Sequence, residues 1–185
     1  SLFKYNISLN LIFLWILFTE YITIIKKKYK LEDRTIGYRK NIKIFSIDPL
    51  VSKDFDDAFS IWFPSGSKVA VVTIYISNVA LWLDALNLWD SFSNRISTIY
   101  LPDRKRPMLP TILSDSLCSL QKGDKRFAFA VDLFVEKKSG KIINHLFKNT
   151  MIQVDKNLRY DSKQEQEYED YQHLFKIVKL MNKEK

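Results

Sequence analysis

The chain of 185 residues carries 29 basic and 21 acidic side chains, which gives a formal net charge of +8. Hydrophobic residues make up 46% of it, enough for one folded domain with its own core. The single cysteine excludes an internal disulfide and a cysteine-rich zinc site, and it suggests a reducing compartment. The positive charge is only weak support for a nucleic-acid partner, because an AT-rich genome would also produce a lysine-rich protein.

An unbroken apolar run, LIFLWILF, occupies residues 11–18 and is followed by the basic run Lys26–Lys30. A membrane-spanning helix needs about 20 apolar residues, and a longer window here takes in Glu20. We therefore favour a buried helix or strand over a membrane anchor, and a mis-joined coding segment is the remaining alternative. Residues 1–41 stay unassigned as an apolar leader and a basic linker. The basic stretch Lys26–Lys43 is expected to be a solvated loop, with a phosphate-contacting surface as the alternative.

The rest of the chain predicts an α+β fold with a mixed, largely antiparallel sheet and flanking helices. Alternating or β-branched runs predict strands at 42–47, 58–63 and 68–76, and Leu81–Arg95 is predicted to be a helix. Period-two apolar residues over Lys125–Glu136, followed by the turn sequence KKSGK, predict a hairpin with residues 142–154. Helical spacing of apolar residues after Ser162 predicts a closing amphipathic helix.

The segment IDPLVSKDFDDA places four carboxylates within ten residues: Asp48, Asp54, Asp56 and Asp57. Like charges at this density oppose each other's ionisation unless a cation lies between them. Oxygen ligands of this kind suit Mg²⁺, Mn²⁺ or Ca²⁺. In an extended segment Asp54 and Asp56 share one face and Asp57 lies on the other, so all four converge only if the backbone turns. A catalytic metal site, a structural calcium site and a solvated acidic turn all remain open on spacing alone.

Three blocks in order resemble the catalytic domain of the ribonuclease II (RNB) family, in its exosome-type and ribonuclease R-like members. They are the aspartate-rich loop, the stretch RISTIYLPDRKRPMLPTILSDSLCSL from Arg95 to Leu120, and DKRFAFAV from Asp124 to Val131. The resemblance runs from about Ile44 through Gln166 into the last helix and covers about the first half of such a domain. Residues 42–185 are therefore expected to form the N-terminal half of an RNB-type domain. The isolated chain is expected to have weak catalytic activity or none.

The resemblance implies hydrolytic, processive 3′→5′ degradation of single-stranded RNA to nucleoside 5′-monophosphates with Mg²⁺, or Mn²⁺ in its place. It also implies catalytic roles for all four aspartates. Asp48, Asp54 and Asp57 match the metal-holding carboxylates. Asp56 matches the acid whose loss abolishes cleavage while RNA binding is retained. Carboxylate-held metal ions neutralise developing charge at the scissile phosphate and activate water, which makes this assignment chemically reasonable.

The resemblance also indicates where RNA is bound. Tyr100 matches a family tyrosine that packs on the 3′-terminal nucleotides, and an aromatic ring stacks on any base. Basic residues that are candidates for phosphate contact lie in the same blocks: Arg95, Arg104, Lys105, Arg106 and Arg126. Single-stranded RNA is the expected partner, exosome subunits are a further candidate, and no membrane association is expected. The expected location is intracellular, cytoplasmic or nuclear, with an organelle as an alternative.

The chain departs from the family pattern at several positions. Asn78 stands where the family usually has an aspartate, and Ile96 stands where glycine is common. These changes leave the four aspartates in place. Two alternatives therefore accompany the exoribonuclease interpretation: an RNA-binding protein that keeps the fold without hydrolysis, and a truncated remnant.

Overall fold

The computed structural model describes residues 19–35, 42–50, 52, 54–92, 97–106, 108–110, 112–160 and 168–184. The apolar run at residues 11–18 lies outside the described residues. Among those that are described, no helix is both long enough and apolar enough to cross a membrane.

In chain order the strands are β1 (Glu32–Arg34), β2 (Phe45–Asp48), β3 (Asp57–Trp62), β4 (Val69–Ser77), β5 (Ile99–Tyr100), β6 (Lys105–Arg106), β7 (Lys125–Glu136), β8 (Ile142–Gln153) and β9 (Lys156–Arg159). Seven of them form a mixed sheet at the centre of the fold, in the order β1-β8-β7-β4-β3-β2-β9. The two outer pairings, β1 with β8 and β2 with β9, are parallel, and the four inner pairings are antiparallel. The predicted fold class is therefore confirmed. A separate two-stranded ribbon pairs β5 with β6.

Helices flank this sheet. One of them, α1 (residues 19–28), buries Ile25 in a cluster with Leu81, Trp82 and Leu83 of α2 (Val79–Ala85), and the last one, α4 (Glu169–Met181), packs against one face of the sheet through Leu174 and Ile177. The remaining helical segments are α3 (Trp89–Phe92), a π-helical turn at Ile112–Leu117 and a 3₁₀ turn at Asn182–Glu184.

The β-branched sequence of β4 explains its central position. Alternate residues point to opposite sheet faces, and here both faces are covered. Val72 packs with Leu174 and Ile177 of α4, whereas Tyr75 lies on the other face in a cluster with Ala58 and Ala130. Side chains buried on both sides suit a strand of almost continuous apolar residues. The position of β4 fixes β3 beside it, and β3 begins at the aspartate-rich loop.

The predicted helix over Leu81–Arg95 is wrong in its extent. Helix α2 ends at Ala85, and α3 begins at Trp89 after a turn. Asn87 in that turn has φ 51°, a left-handed conformation that asparagine tolerates better than most residues. The Leu88 N–H then bonds to the Leu83 carbonyl, which closes the first helix. The distal end of the predicted helix, including Arg95, lies outside the described residues.

The expected solvated loop over Lys26–Lys43 is also wrong where that segment is described. Its beginning belongs to α1, and β1 pairs in parallel with Thr150, Met151 and Ile152 of β8. Arg34 is only 2% exposed because its charge is paired with Asp132 inside the fold. One charged residue of this edge strand is thus buried through an ion pair, while Asp33 beside it is exposed.

Candidate active site

The aspartate-rich loop is held to the domain at Phe55. The Phe55 N–H donates to Ser119 Oγ at 3.1 Å, and the Phe55 carbonyl accepts a bond from the Leu120 N–H at 2.8 Å. The Phe55 ring is buried in the cluster that contains Ala58 and Tyr75. An inward Phe55 gives its two neighbours, Asp54 and Asp56, the opposite orientation.

Asp54 and Asp56 line the same cavity, of about 330 Å³. The expectation that these two carboxylates share a face is therefore confirmed. The Asp56 carbonyl accepts a bond from the Ser77 N–H at 2.8 Å, which fixes the loop against the end of β4. The volume lies at the lower end of the range for small-molecule sites. The other lining residues are Ile76, Ser77, Val79, Thr98, Met108, Leu109 and Ser114.

Asp48 and Asp57 lie at the ends of the two strands that flank the loop. Asp48 is the last residue of β2, and Asp57 is the first residue of β3. Burial raises the pKa of Asp48, and the negative charges of Asp57 and Asp56 raise that pKa further. Burial also raises the pKa of Asp57. Both carboxylates are therefore costly to ionise where they stand, and a nearby cation relieves that cost.

Arg159 and Ser46 stabilise the negative charge of Asp48. A hydrogen bond from Ser46 Oγ to Asp48 Oδ2, 2.6 Å long, and the positive charge of Arg159 both lower the pKa of Asp48. Arg159 also donates to the Pro49 and Ser52 carbonyls at 2.9 and 3.3 Å. Its guanidinium lies 5.0 Å from the centre of the Phe55 ring. Arg159 thus contacts the loop at three points, Pro49, Ser52 and Phe55.

The oxygen chemistry of the four aspartates fits a hard divalent cation such as Mg²⁺. The mutual repulsion of Asp48, Asp56 and Asp57 points the same way. In the described part of the chain, however, no three His, Cys, Asp or Glu side chains are grouped closely enough to hold a metal ion together. The metal-binding roles of Asp48, Asp54 and Asp57 stay a prediction.

The RNA-binding predictions fall on two separate places. Tyr100 and Arg106 lie on the β5–β6 ribbon, where Tyr100 pairs with Lys105. Arg104 lies in the turn of that ribbon, exposed and 3.8 Å from the Asp103 carboxylate. Thr98, one residue before the ribbon, lines the cavity of Asp54 and Asp56, which brings the ribbon near the candidate site. Arg95 lies outside the described residues.

Arg126 has several intrachain hydrogen bonds. Its guanidinium donates to the Ser119 and Lys125 carbonyls and to the Asp124 carboxylate, at 2.9, 3.1 and 2.8 Å. The bond to Ser119 supports the same residue that holds Phe55. Arg126 therefore supports the aspartate-rich loop indirectly, through Ser119. Its contact with RNA stays a prediction.

Asn78 takes up a structural position at the start of α2. Its side-chain amide donates to Asn149 Oδ1 at 2.9 Å, and its N–H bonds to the Phe127 carbonyl at 3.0 Å. The residue that replaces the usual aspartate thus links β4 to β7 and β8. Its two neighbours along the chain, Ser77 and Val79, line the cavity of Asp54 and Asp56.

Sequence reasoning missed four residues that position the loop: Ser46, Ser119, Asn157 and Arg159. Ser46 was detectable, since a serine two residues before an aspartate on a strand lies on the same face as that aspartate. The other three act across long sequence separations and leave no local pattern. Ser119, for example, is 64 residues from Phe55.

The structure is thus an α+β domain in which an aspartate-rich loop borders a cavity. The family model for the RNB domain matches residues 38–173. The chain therefore belongs to the RNB domain family.

Two relatives illustrate the similarity. Ribonuclease R of Ureaplasma parvum serovar 3 is 35% identical over 126 residues, covering 63% of this chain and 16% of that protein. The structure of Mycoplasma genitalium RNase R in complex with ribose-methylated single-stranded RNA superposes with a TM-score of 0.70 at 22% identity, covering 86% of this chain and 26% of that one. The chain thus spans less than a fifth of the curated relative and about a quarter of the solved structure.

The fold also matches that of a further solved structure. Yeast Ssd1, a pseudonuclease, superposes with a TM-score of 0.67 at 14% identity, covering 82% of this chain and 19% of that one. At this identity the likeness concerns the fold alone.

Proposed function

We propose that this chain supplies the aspartate-bearing part of a 3′→5′ exoribonuclease that hydrolyses single-stranded RNA processively to nucleoside 5′-monophosphates. The observation that carries the proposal is the cavity shared by Asp54 and Asp56, within a chain that matches the RNB domain over residues 38–173. The proposal places the protein inside the cell, with exosome subunits as candidate partners.

The electrostatics of the loop support a metal-dependent reaction. Four carboxylates repel a phosphodiester unless a cation neutralises them, and pure RNA-binding surfaces are positively charged. Asp48, Asp54 and Asp57 would hold Mg²⁺, or Mn²⁺ in its place. When bound, the metal supplies charge neutralisation at the phosphate and a water of lowered pKa.

The chain's own residues position these groups. Phe55 anchors the loop in the core, Ser119 and Leu120 fix its backbone, and Arg159 bonds to the carbonyls of Pro49 and Ser52. The carboxylate of Asp56 is then held in the cavity, which is lined by the apolar side chains of Ile76 and Met108. Asp56 is proposed to act on the reacting groups there, since the resemblance assigns it to turnover rather than to RNA binding.

A catalytically inactive RNA-binding protein is the second candidate. One observation favours it: Asn78 stands where the family usually has an aspartate. The retention of all four aspartates favours the exoribonuclease, because an acidic loop gives no advantage to a surface that only binds phosphates.

The test uses the full-length protein and a single-stranded RNA carrying a 5′ label. Stepwise shortening from the 3′ end with Mg²⁺, its absence in EDTA, and no shortening of the DNA of the same sequence are expected. Released 5′-monophosphates, identified by mass spectrometry, establish hydrolysis. RNA binding without consumption in both Mg²⁺ and EDTA would overturn the proposal and support the inactive protein.

A further inference from the structure

We propose that Ser46 and Asn157 are positioning residues that hold the Asp48 carboxylate in one orientation. The two residues form a directed chain of hydrogen bonds that ends on Asp48 Oδ2. The catalytic consequence of this arrangement rests on the proposed function, whereas the geometry does not.

The direction of the chain is fixed at Asn157. Its Oδ1 accepts a bond from the Lys122 N–H at 2.8 Å, and a backbone N–H is only a donor. Its Nδ2 donates to the Leu120 carbonyl at 3.0 Å, and a carbonyl is only an acceptor. These two partners assign the oxygen and the nitrogen of the amide without ambiguity.

The same Nδ2 donates to Ser46 Oγ at 2.8 Å. Because Ser46 accepts this bond, its own hydroxyl hydrogen is available for another acceptor. Asp48 Oδ2 lies 2.6 Å from Ser46 Oγ and receives it. Ser46 is 0% exposed and Asp48 7% exposed, so little water competes for the hydroxyl. The hydrogen bond therefore holds one carboxylate oxygen of Asp48 against β2.

This series of hydrogen bonds also joins three parts of the site. Asn157 lies on β9, Ser46 and Asp48 lie on β2, and Leu120 lies beside Ser119, which anchors the aspartate-rich loop at Phe55. The Asp48 backbone is held as well, since the Tyr160 N–H donates to its carbonyl at 2.9 Å. With the main chain fixed, the side-chain torsion of Asp48 is what Ser46 restrains.

If a substitution removes one of these hydrogen bonds, we expect the protein to lose cleavage activity and to keep its RNA binding. Removing a hydrogen-bond partner behind a catalytic or metal-binding side chain lowers activity by about 10–100-fold. We expect Ser46→Ala to lower the single-turnover cleavage rate of the full-length protein by about tenfold or more. Asn157→Leu is expected to act in the same direction, and Ser46→Thr, which keeps the hydroxyl, is expected to retain the wild-type rate. RNA affinity in EDTA should be unchanged in all three.

Ser60→Ala is the matched control. Ser60 is also a buried strand serine, 1% exposed, but its hydroxyl bonds to Tyr75 and not to a loop aspartate. It should lose stability comparably and retain the cleavage rate of wild type. Equal loss of cleavage in Ser60→Ala and Ser46→Ala would overturn the positioning role in favour of a general effect of buried-serine loss.

Crystal structures of wild type, Ser46→Ala and Ser46→Thr give a test that does not depend on activity. Asp48 should occupy one rotamer in wild type and in Ser46→Thr, and a different or a mixed one in Ser46→Ala. An unchanged single rotamer in Ser46→Ala would overturn the inference even if cleavage falls. If wild type degrades no RNA, the proposed function fails, and the rotamer comparison still establishes or refutes the role of Ser46.

Discussion

Arg34 and Asp132 form a bidentate ion pair inside the fold. Arg34 Nη1 and Nη2 each donate to one oxygen of the Asp132 carboxylate at 2.7 Å, and the two residues are 2% and 1% exposed. They are 98 positions apart in the chain. Thr73 Oγ1 also donates to Asp132, at 2.6 Å, and Glu32 pairs with the same arginine. The pair therefore fastens the edge strand β1 to the centre of the sheet.

Loss of one partner of this pair should be severely destabilising. Arg34→Met leaves the Asp132 charge buried, which costs about 3–5 kcal/mol of unfolding free energy. The double variant Arg34→Met with Asp132→Leu removes both charges and should lose less. Urea unfolding of the three proteins measures this. A loss below about 1 kcal/mol for Arg34→Met, typical of surface pairs, would contradict the burial of this pair.

Gly140 should be far less tolerant of alanine than Gly66. Both have positive φ, 83° and 70°, so both pay the cost of a left-handed side chain, about 1–2 kcal/mol. A Cβ at Gly140 would lie 2.6 Å from backbone atoms of Leu180 and Met181, whereas nothing lies within 4 Å at Gly66. We expect Gly140→Ala to cost about 1–3 kcal/mol more than Gly66→Ala, by thermal or urea unfolding. Equal losses would show that the β7–β8 turn does not meet the end of α4.

Cys118 should be unreactive in the folded protein. It is 4% exposed, and burial raises the pKa of its thiol to about 12. The thiolate is the reactive form, so a thiol reagent at pH 8 should label Cys118 only after unfolding. Rapid labelling of the native protein would contradict this burial.

The same shift predicts a dependence of stability on alkaline pH. A raised pKa in the folded state means that the folded protein holds this proton more tightly than the unfolded chain. The resulting stabilisation is complete below the ordinary thiol pKa of 9.0 and is lost as the pH rises towards about 12. Between pH 8 and pH 10.5 the wild type should therefore lose more unfolding free energy than Cys118→Ala, measured by urea unfolding. Equal losses of unfolding free energy in the two proteins would contradict the raised pKa of Cys118.

Patterns within single elements predicted much of this fold. The strand predicted over Lys125–Glu136 is confirmed to the residue as β7, although the buried residues at its centre are Ala128, Ala130 and Asp132 rather than the larger apolar residues that alternate with them. The same alternation predicted that Asp54 and Asp56 share a face, since Phe55 between them is apolar and faces the core. Local period and burial suffice where each residue's environment is set by its immediate neighbours.

Features set by distant partners were not predictable in this way. The sequence EDR of β1 has no apolar residue, and it forms a strand because Arg34 meets Asp132. The break at Asn87 depends on one residue adopting a left-handed conformation within an otherwise helical pattern. The support of the loop by Ser119 and Asn157 likewise arises only when separate strands come together.

The most direct test of the central claim is single-turnover RNA degradation by full-length Asp56→Asn, beside wild type and the control Asp90→Asn, an exposed residue of α3. Asp56→Asn should lower the cleavage rate by at least about a hundredfold, since the lost carboxylate acts at the reacting groups. It should bind RNA as tightly as wild type in EDTA, and Asp90→Asn should match wild type in both measurements. Cleavage by Asp56→Asn at the wild-type rate would contradict the assignment of the site to this loop.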